Sequence, residues 1–91
     1  MLFEWDPKKA HHNLIKHDVS FEEASTAFRD DRSITISDPL HSETEDRFIL
    51  LGYSKKNKLI IVVHTDRQDR VRIISARKAT KKERLQYEKR K

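Results

Sequence analysis

A small α+β domain is the fold class the sequence predicts, with helices packed on one side of an antiparallel sheet. Three observations lead there. Two helix start signals, "DPKK" and "SFEE", lie within the first 23 residues. Four later stretches carry strand patterns separated by short polar connections, and a third helix signal, "TKKE", comes after the last of them. Helices first and strands in succession afterwards is the order of a segregated α+β domain. A length of 91 residues corresponds to one domain, 1–91.

Residues 2–5, "LFEW", form a short apolar edge strand. Asp6 can accept backbone N–H bonds as N-cap, and Pro7 suits the first helical position. That helix runs to about His17, with Ala10, Leu14 and His17 on one stripe. Ser20 and Glu23 have the spacing of a capping box, flanked by Val19 and Ala24 as a hydrophobic staple. The second helix carries Phe21, Ala24, Ala27 and Phe28 and ends near residues 29–31. "RSITISD" (32–38) alternates Ile with Ser and Thr, the period-2 signal of a half-buried strand. Residues 39–46 read as a loop and 47–54 as a strand. "KKNK" (55–58) is a hairpin connection. "LIIVVHT" (59–65) is the longest apolar run and predicts a central strand buried on both faces. A turn at 66–69 leads to the last strand, "RVRIISAR" (70–77). Thr80 and Glu83 form a further capping box, opening a helix to Lys91. That helix is polar nearly all round, so core burial alone does not hold it. The whole is strand, two helices, a four-stranded antiparallel meander and a C-terminal helix.

Charge is unevenly placed. Residues 1–45 hold five Lys/Arg and ten Asp/Glu, while residues 46–91 hold fifteen and five. The second half is therefore +10 against −5 for the first. A basic surface that attracts a polyanion is one reading, and mutual neutralisation of the halves is the other. There are no cysteines, which excludes disulfides and thiolate metal sites. No apolar run approaches the ~20 residues of a membrane span, and "MLFEWDPKK" lacks a signal-peptide pattern, so a soluble cytoplasmic protein is expected, with no membrane partner.

Several stretches are similar to a known family. "FEWDPKKAHHNLIKHDVSFEEA" (3–24), "DPLHSETEDRF" (38–48), "GYS" (52–54) and "RIISARKATKKERLQYE" (72–88) resemble the BrnT family of bacterial type II toxins, ribonucleases of RelE-like fold. The likeness covers nearly the whole chain and rests on the order and spacing of the motifs together. One departure is Asp18, where Gly is expected after "KH". Asp tolerates a left-handed backbone better than most residues, so the turn survives. The resemblance implies a toxin that cleaves RNA and slows translation, and a cognate BrnA-like antitoxin that binds it. It also implies a toxin–antitoxin complex that represses its own operon, so operator DNA is met only through that complex. A dimer or heterotetramer is compatible with such a complex.

Metal-independent RNA cleavage needs a base for the ribose 2′-OH, an acid for the leaving 5′-oxygen, and positive charge at the phosphorus oxygens. Base and acid are each worth about 10²–10⁴-fold. A positioned donor such as Arg contributes roughly 10²–10³-fold, and its planar fork suits phosphate. The candidates for phosphate are Arg47, Arg67, Arg72 and Arg77, which match the family's "E-x-R", "T-x-R" and "RIISAR" motifs in the resemblance. Alternatively, Arg47 and Arg72 pair across strands with Glu45, Asp46 or Asp66. For proton transfer the candidates are His41 and Glu45, with His17, His64 and Tyr87 behind them. His41 sits in a polar loop, and its side chain type titrates near ~6.5. His64 closes a buried strand and reads rather as a satisfied core or rim histidine. Neither a metal nor another cofactor is expected, because no ligand spacing is recognisable.

Parity constrains the arginines. On a regular strand Arg70, Arg72, Ile74 and Ala76 share one face, and Val71, Ile73, Ser75 and Arg77 the other. Arg72 and Arg77 then share a cleft only if the strand ends or bulges near 75–76. Since "KAT" leads directly into a helix, a strand end before Arg77 is expected, and Arg70 reads as a solvated turn residue. Two other classes compete with a ribonuclease. One is a non-catalytic nucleic-acid-binding module, supported by the +10 half but without an aromatic RNP-type strand motif. The other is a protein-interaction domain that receives a partner on a strand edge.

Overall fold

The computed structural model describes residues 1–38 and 46–89. Its elements are β1 (Leu2–Glu4), α1 (Pro7–His17), α2 (Phe21–Thr26), one 3₁₀ turn (Ala27–Arg29), β2 (Ile34–Ser37), β3 (Arg47–Tyr53), β4 (Leu59–Arg67), β5 (Arg70–Lys78) and α3 (Lys81–Glu88). The five strands form one sheet in the order β1-β5-β4-β3-β2. β2 to β5 are the expected antiparallel meander, and β1 adds to the β5 edge in parallel.

Local chemistry sets the helix bounds. The Asp6 carboxylate accepts from the Lys8 N–H at 2.9 Å, with Pro7 next to it. Asp18 ends α1 in the left-handed region (φ 58°), and its N–H donates to the Leu14 carbonyl at 2.9 Å. The position where Gly was expected is thus one that requires a positive φ. Ser20 accepts from the Glu23 N–H at 2.9 Å. The reciprocal half of that capping box is absent among the described residues. The Glu23 carboxylate turns inward instead and accepts from the Ser54 hydroxyl at 2.7 Å, tying α2 to the end of β3.

β4 separates two apolar clusters. Ile60 and Val62 are fully buried on the face covered by α1 and α2, together with Val19, Phe21, Ala24, Ala27, Leu50, Ile73 and Ala76. Leu59 and Ile61 are buried on the opposite face with Leu51, Tyr53, Ala79 and Tyr87. Each large apolar side chain among them stabilises the fold by about 1.5–3 kcal/mol. Alternate residues of a strand feeding two clusters is the period-2 pattern, with both sides covered.

The structure corrects three expectations. First, α3 packs on the sheet face opposite α1 and α2, so helices cover both sides of the sheet. Polar anchors hold it: the Tyr87 hydroxyl donates to Asp30 Oδ2 at 2.7 Å, and Arg84 donates to the Tyr53 hydroxyl at 3.1 Å. Tyr87 also packs edge-on against Tyr53, with centroids 5.3 Å apart. Second, Asn13 is the buried side chain of α1, while Leu14 is 45% exposed. β1 pairs with β5 only over residues 70–72, and the Asn13 carboxamide takes over the edge further on. It donates to the Ala76 carbonyl at 2.8 Å and to the Val19 carbonyl at 3.0 Å, and accepts from the Ala76 N–H at 3.1 Å. Third, β5 does not stop before Arg77, since Arg77 pairs with Ile61 and Lys78 with Ile60. The alternative to a strand end is what occurs: β5 carries a bulge just ahead of residues 75–76. Val63 faces Ser75 and His64 faces Ile73, which leaves Ile74 as the extra residue.

Candidate active site

The bulge decides where the arginines point. One added residue inverts the parity of the rest of the strand. Ile73 and Ala76 consequently share the helix-covered face, and Arg72 and Arg77 share the other. Cross-strand partners lie on the same face, so the register gives this second face row by row. The first row is Arg67 opposite Arg70, with Leu2 beyond. The second runs across four strands: Arg47, Thr65, Arg72, Glu4. The third is Ile36, Ile49, Val63, Ser75, and the fourth is Ile34, Leu51, Ile61, Arg77. Past the fourth row the face is covered by α3. Strands lie about 4.8 Å apart, so the Arg47 and Arg72 backbones are separated by ~10 Å, with Thr65 between them. Arg47, Arg67, Arg70, Arg72 and Arg77 thus stand on one face with Glu4 and Glu83.

A groove of 370 Å³ occupies the third and fourth rows. Its floor is Ile49, Val63, Leu51 and Ile61, and its α3 end is closed by Arg77, Glu83 and Gln86. An apolar floor with the Arg77 guanidinium at one end and the Arg47–Arg72 row next to it can take a flat ring and an attached phosphate together.

Arg72 and Arg77 differ in how far they are engaged. Arg72 Nη1 donates to Glu4 Oε2 at 2.9 Å, and both side chains are half-buried. The partner is therefore Glu4 rather than Asp46 or Asp66. Guanidinium carries five N–H donors, so capacity for phosphate oxygens remains. Arg77 gives both fork nitrogens to Glu83, at 2.8 and 2.9 Å, and a further bond to the Lys78 carbonyl. Glu83 also closes the α3 capping box, accepting from the Thr80 N–H at 2.8 Å. The Arg77 bonds hold the Glu83 carboxyl down at about 2. Because this is below the ordinary value of 4.5, the stabilisation is complete above pH 4.5 and lost as pH falls towards 2. Melting wild type and Glu83→Gln from pH 7 to pH 2 is the check. The wild type is expected to be the more stable at neutral pH, with the gap closing at the acid end.

The described histidines do not reach this face. His64 is buried on the opposite side between the Phe28 and Phe48 rings, with centroids at 4.8 and 5.8 Å. Burial pushes its imidazole below the ordinary 6.5, against the Val62 carbonyl and Asp66, which favour the charged form. His17 lies on α1, beside Asn13 and Lys16. Tyr87 is pushed up to about 12 by burial and by its bond to Asp30. His41 and Glu45 lie outside the described residues. Arg47 is half-buried and Arg67 exposed. Among the described residues no three His, Asp or Glu side chains stand close enough to share a metal ion. Sequence reasoning missed Glu4, whose spacing from Arg72 gives no signal, and it favoured a strand end over the bulge that aligns Arg72 with Arg77.

A five-stranded α+β domain with an arginine-bordered groove on one sheet face defines a class of small basic proteins suited to a polyanionic ligand. Comparison with known proteins narrows the class. The family model described as "Ribonuclease toxin, BrnT, of type II toxin-antitoxin system" matches residues 5–83. The chain belongs to the BrnT family of ribonuclease toxins of type II toxin–antitoxin systems. Among solved structures it is similar to the crystal structure of the Brucella abortus ribonuclease toxin, BrnT, with a TM-score of 0.64 and 19% identity over 89% of this chain and 100% of that one. No curated protein matches the chain. An antitoxin partner is implied by membership of a type II system. Among the described residues no helix is long and apolar enough to cross a membrane.

Proposed function

We propose that the chain is an endoribonuclease that cuts RNA without a metal ion, slows translation in the cytoplasm, and is neutralised by a BrnA-like antitoxin. The observation that carries this reading is the row Arg47, Thr65, Arg72, Glu4 beside the apolar groove. Arg47 and Arg72 bind the scissile phosphate from two strands and stabilise charge on its free oxygens. Glu4 holds the Arg72 fork in place. Arg67 receives a neighbouring phosphate, and Arg77 supplies charge at the α3 end while pinning that helix through Glu83. A nucleobase lies at the groove floor.

In the reaction the 2′-oxygen loses its proton to a base and bonds to phosphorus. The bond from phosphorus to the 5′-oxygen breaks, and an acid protonates that oxygen. His41 and Glu45 are the proposed proton carriers, on the chemistry of their side chains and their position just before Arg47 in sequence. The products are a 2′,3′-cyclic phosphate and a 5′-hydroxyl.

The antitoxin reading rests on the sheet edge. β2 is the outer strand beside the groove, and Ile36 is 56% exposed there. A strand of the antitoxin that paired with β2 would lie across the groove and block it.

Purified toxin incubated with RNA in excess EDTA tests the reading. Cleavage with 2′,3′-cyclic phosphate ends is expected. Products with 3′-hydroxyl ends, or a strict need for added divalent metal, would contradict it. RNA bound but not cut would select the non-catalytic binding module.

A further inference from the structure

A basic surface outside the proposed cleavage face lies on α1. Lys8, Lys9, His12 and Lys16 fall within about a third of the helix circumference. With His17 they line a groove of 420 Å³ against Ile74 and Ser75 of β5. No carboxylate lines it. Among the described residues none of these three lysines is in an ion pair. α1 contains no Asp or Glu. Like charges packed this closely without ion-pair partners cost stability, which an anionic ligand would offset.

The floor of the groove connects it to the other face. Ile74 is the bulge residue, and Ser75 stands between the rows of Arg72 and Arg77. The same bulge that brings those arginines together therefore forms the crossing from the α1 groove to the cleavage face. From Lys8 to Lys16 the helix rises about 12 Å, room for two or more phosphates of one strand.

We propose that the groove between α1 and β5 is an RNA backbone exosite, in which Lys8, Lys9 and Lys16 hold phosphates on one side of the bond that is cut. The strand then crosses β5 at Ser75 and enters the arginine face. This rests on the ribonuclease reading for its position in the reaction, but it is a binding claim and is tested without cleavage.

The experiment measures fluorescence anisotropy of a labelled, fully 2′-O-methylated 12-nucleotide RNA, which has no free 2′-OH, over a salt series. Three proteins are compared: wild type, Lys8→Gln/Lys9→Gln/Lys16→Gln, and a charge-matched control, Lys55→Gln/Lys56→Gln/Lys58→Gln, at the β3–β4 turn. Each phosphate contact on a single strand contributes about 0.7 to the logarithmic salt slope. The α1 variant is expected to lose about 2 from that slope and tenfold or more in affinity at ~0.1 M salt. The control is expected to lose far less. Unchanged binding by the α1 variant, or equal losses in both variants, would overturn the exosite. So would an α1 variant that binds RNA normally but loses the antitoxin, since the groove would then belong to a protein. Wild type that binds this RNA through α1 but cuts no unmodified RNA would leave the exosite standing and overturn the ribonuclease reading alone.

Discussion

Arg72→Ala is expected to lower kcat for RNA cleavage by about 10²–10³-fold, the usual loss when one charge donor at a reacting centre is removed. The fold should survive, because the Arg72–Glu4 pair is only half-buried and pairs near the surface contribute about 0–1 kcal/mol. Arg72→Lys keeps the charge but loses the planar fork, so it should recover only part of the rate. Arg29→Ala is the control, since Arg29 is exposed on the 3₁₀ turn away from the groove. Single-turnover cleavage with a melting curve for each variant makes the comparison. In cells the same change should relieve growth arrest when the toxin is expressed without its antitoxin. A folded Arg72→Ala protein that cuts RNA at the wild-type rate would remove Arg72 from the site.

Asn13→Ala is expected to destabilise the fold more than any of the other substitutions proposed. It leaves the Ala76 N–H, the Ala76 carbonyl and the Val19 carbonyl without their partner in a buried place. Each such group costs about 1–3 kcal/mol, and partial access of water reduces the sum to about 3 kcal/mol. For a domain of this size that is a large share of total stability and lowers Tm by more than ~10 °C. Asn13→Asp is nearly isosteric and keeps the acceptor for the Ala76 N–H. It removes the donor and sets a carboxylate against two carbonyls, so it should be no milder than Ala. Thermal melting followed by circular dichroism checks both. Losses below ~1 kcal/mol would mean that the β5 edge is held by other contacts.

Features governed by neighbours in the chain were legible in the sequence. Asp6 and Pro7 opened α1 where expected, Asp18 closed it, and the alternation of the meander located β2 to β5. Features set by distant contacts were not. The bulge at Ile74 sits in "RVRIISAR", which has no Gly or Pro to mark it. Its counterpart is Asn13, which pairs with Ala76 across 63 positions of sequence. An Asn on a helix stripe gives no sign that it will replace a strand partner, and Leu14 was the apparent core residue for that reason. The side taken by α3 was equally hidden. A helix without an apolar stripe is placed by single polar contacts, and the Tyr87–Asp30 bond spans 57 positions. The arginines were identifiable as a set, but their common face was not, since that depends on one extra residue in a strand.

The central claim is that the sheet face carrying Arg47, Arg72 and Arg77 is the surface that meets RNA. The most direct measurement is an NMR titration of the ¹⁵N-labelled protein with the uncleavable 12-nucleotide RNA. The largest amide and guanidinium shifts are expected at Arg47, Thr65, Arg72, Ser75 and Arg77, with a second set at Lys8, Lys9 and Lys16. Shifts confined to α2 and the β3–β4 turn, with the Arg47–Arg72 row unmoved, would contradict it.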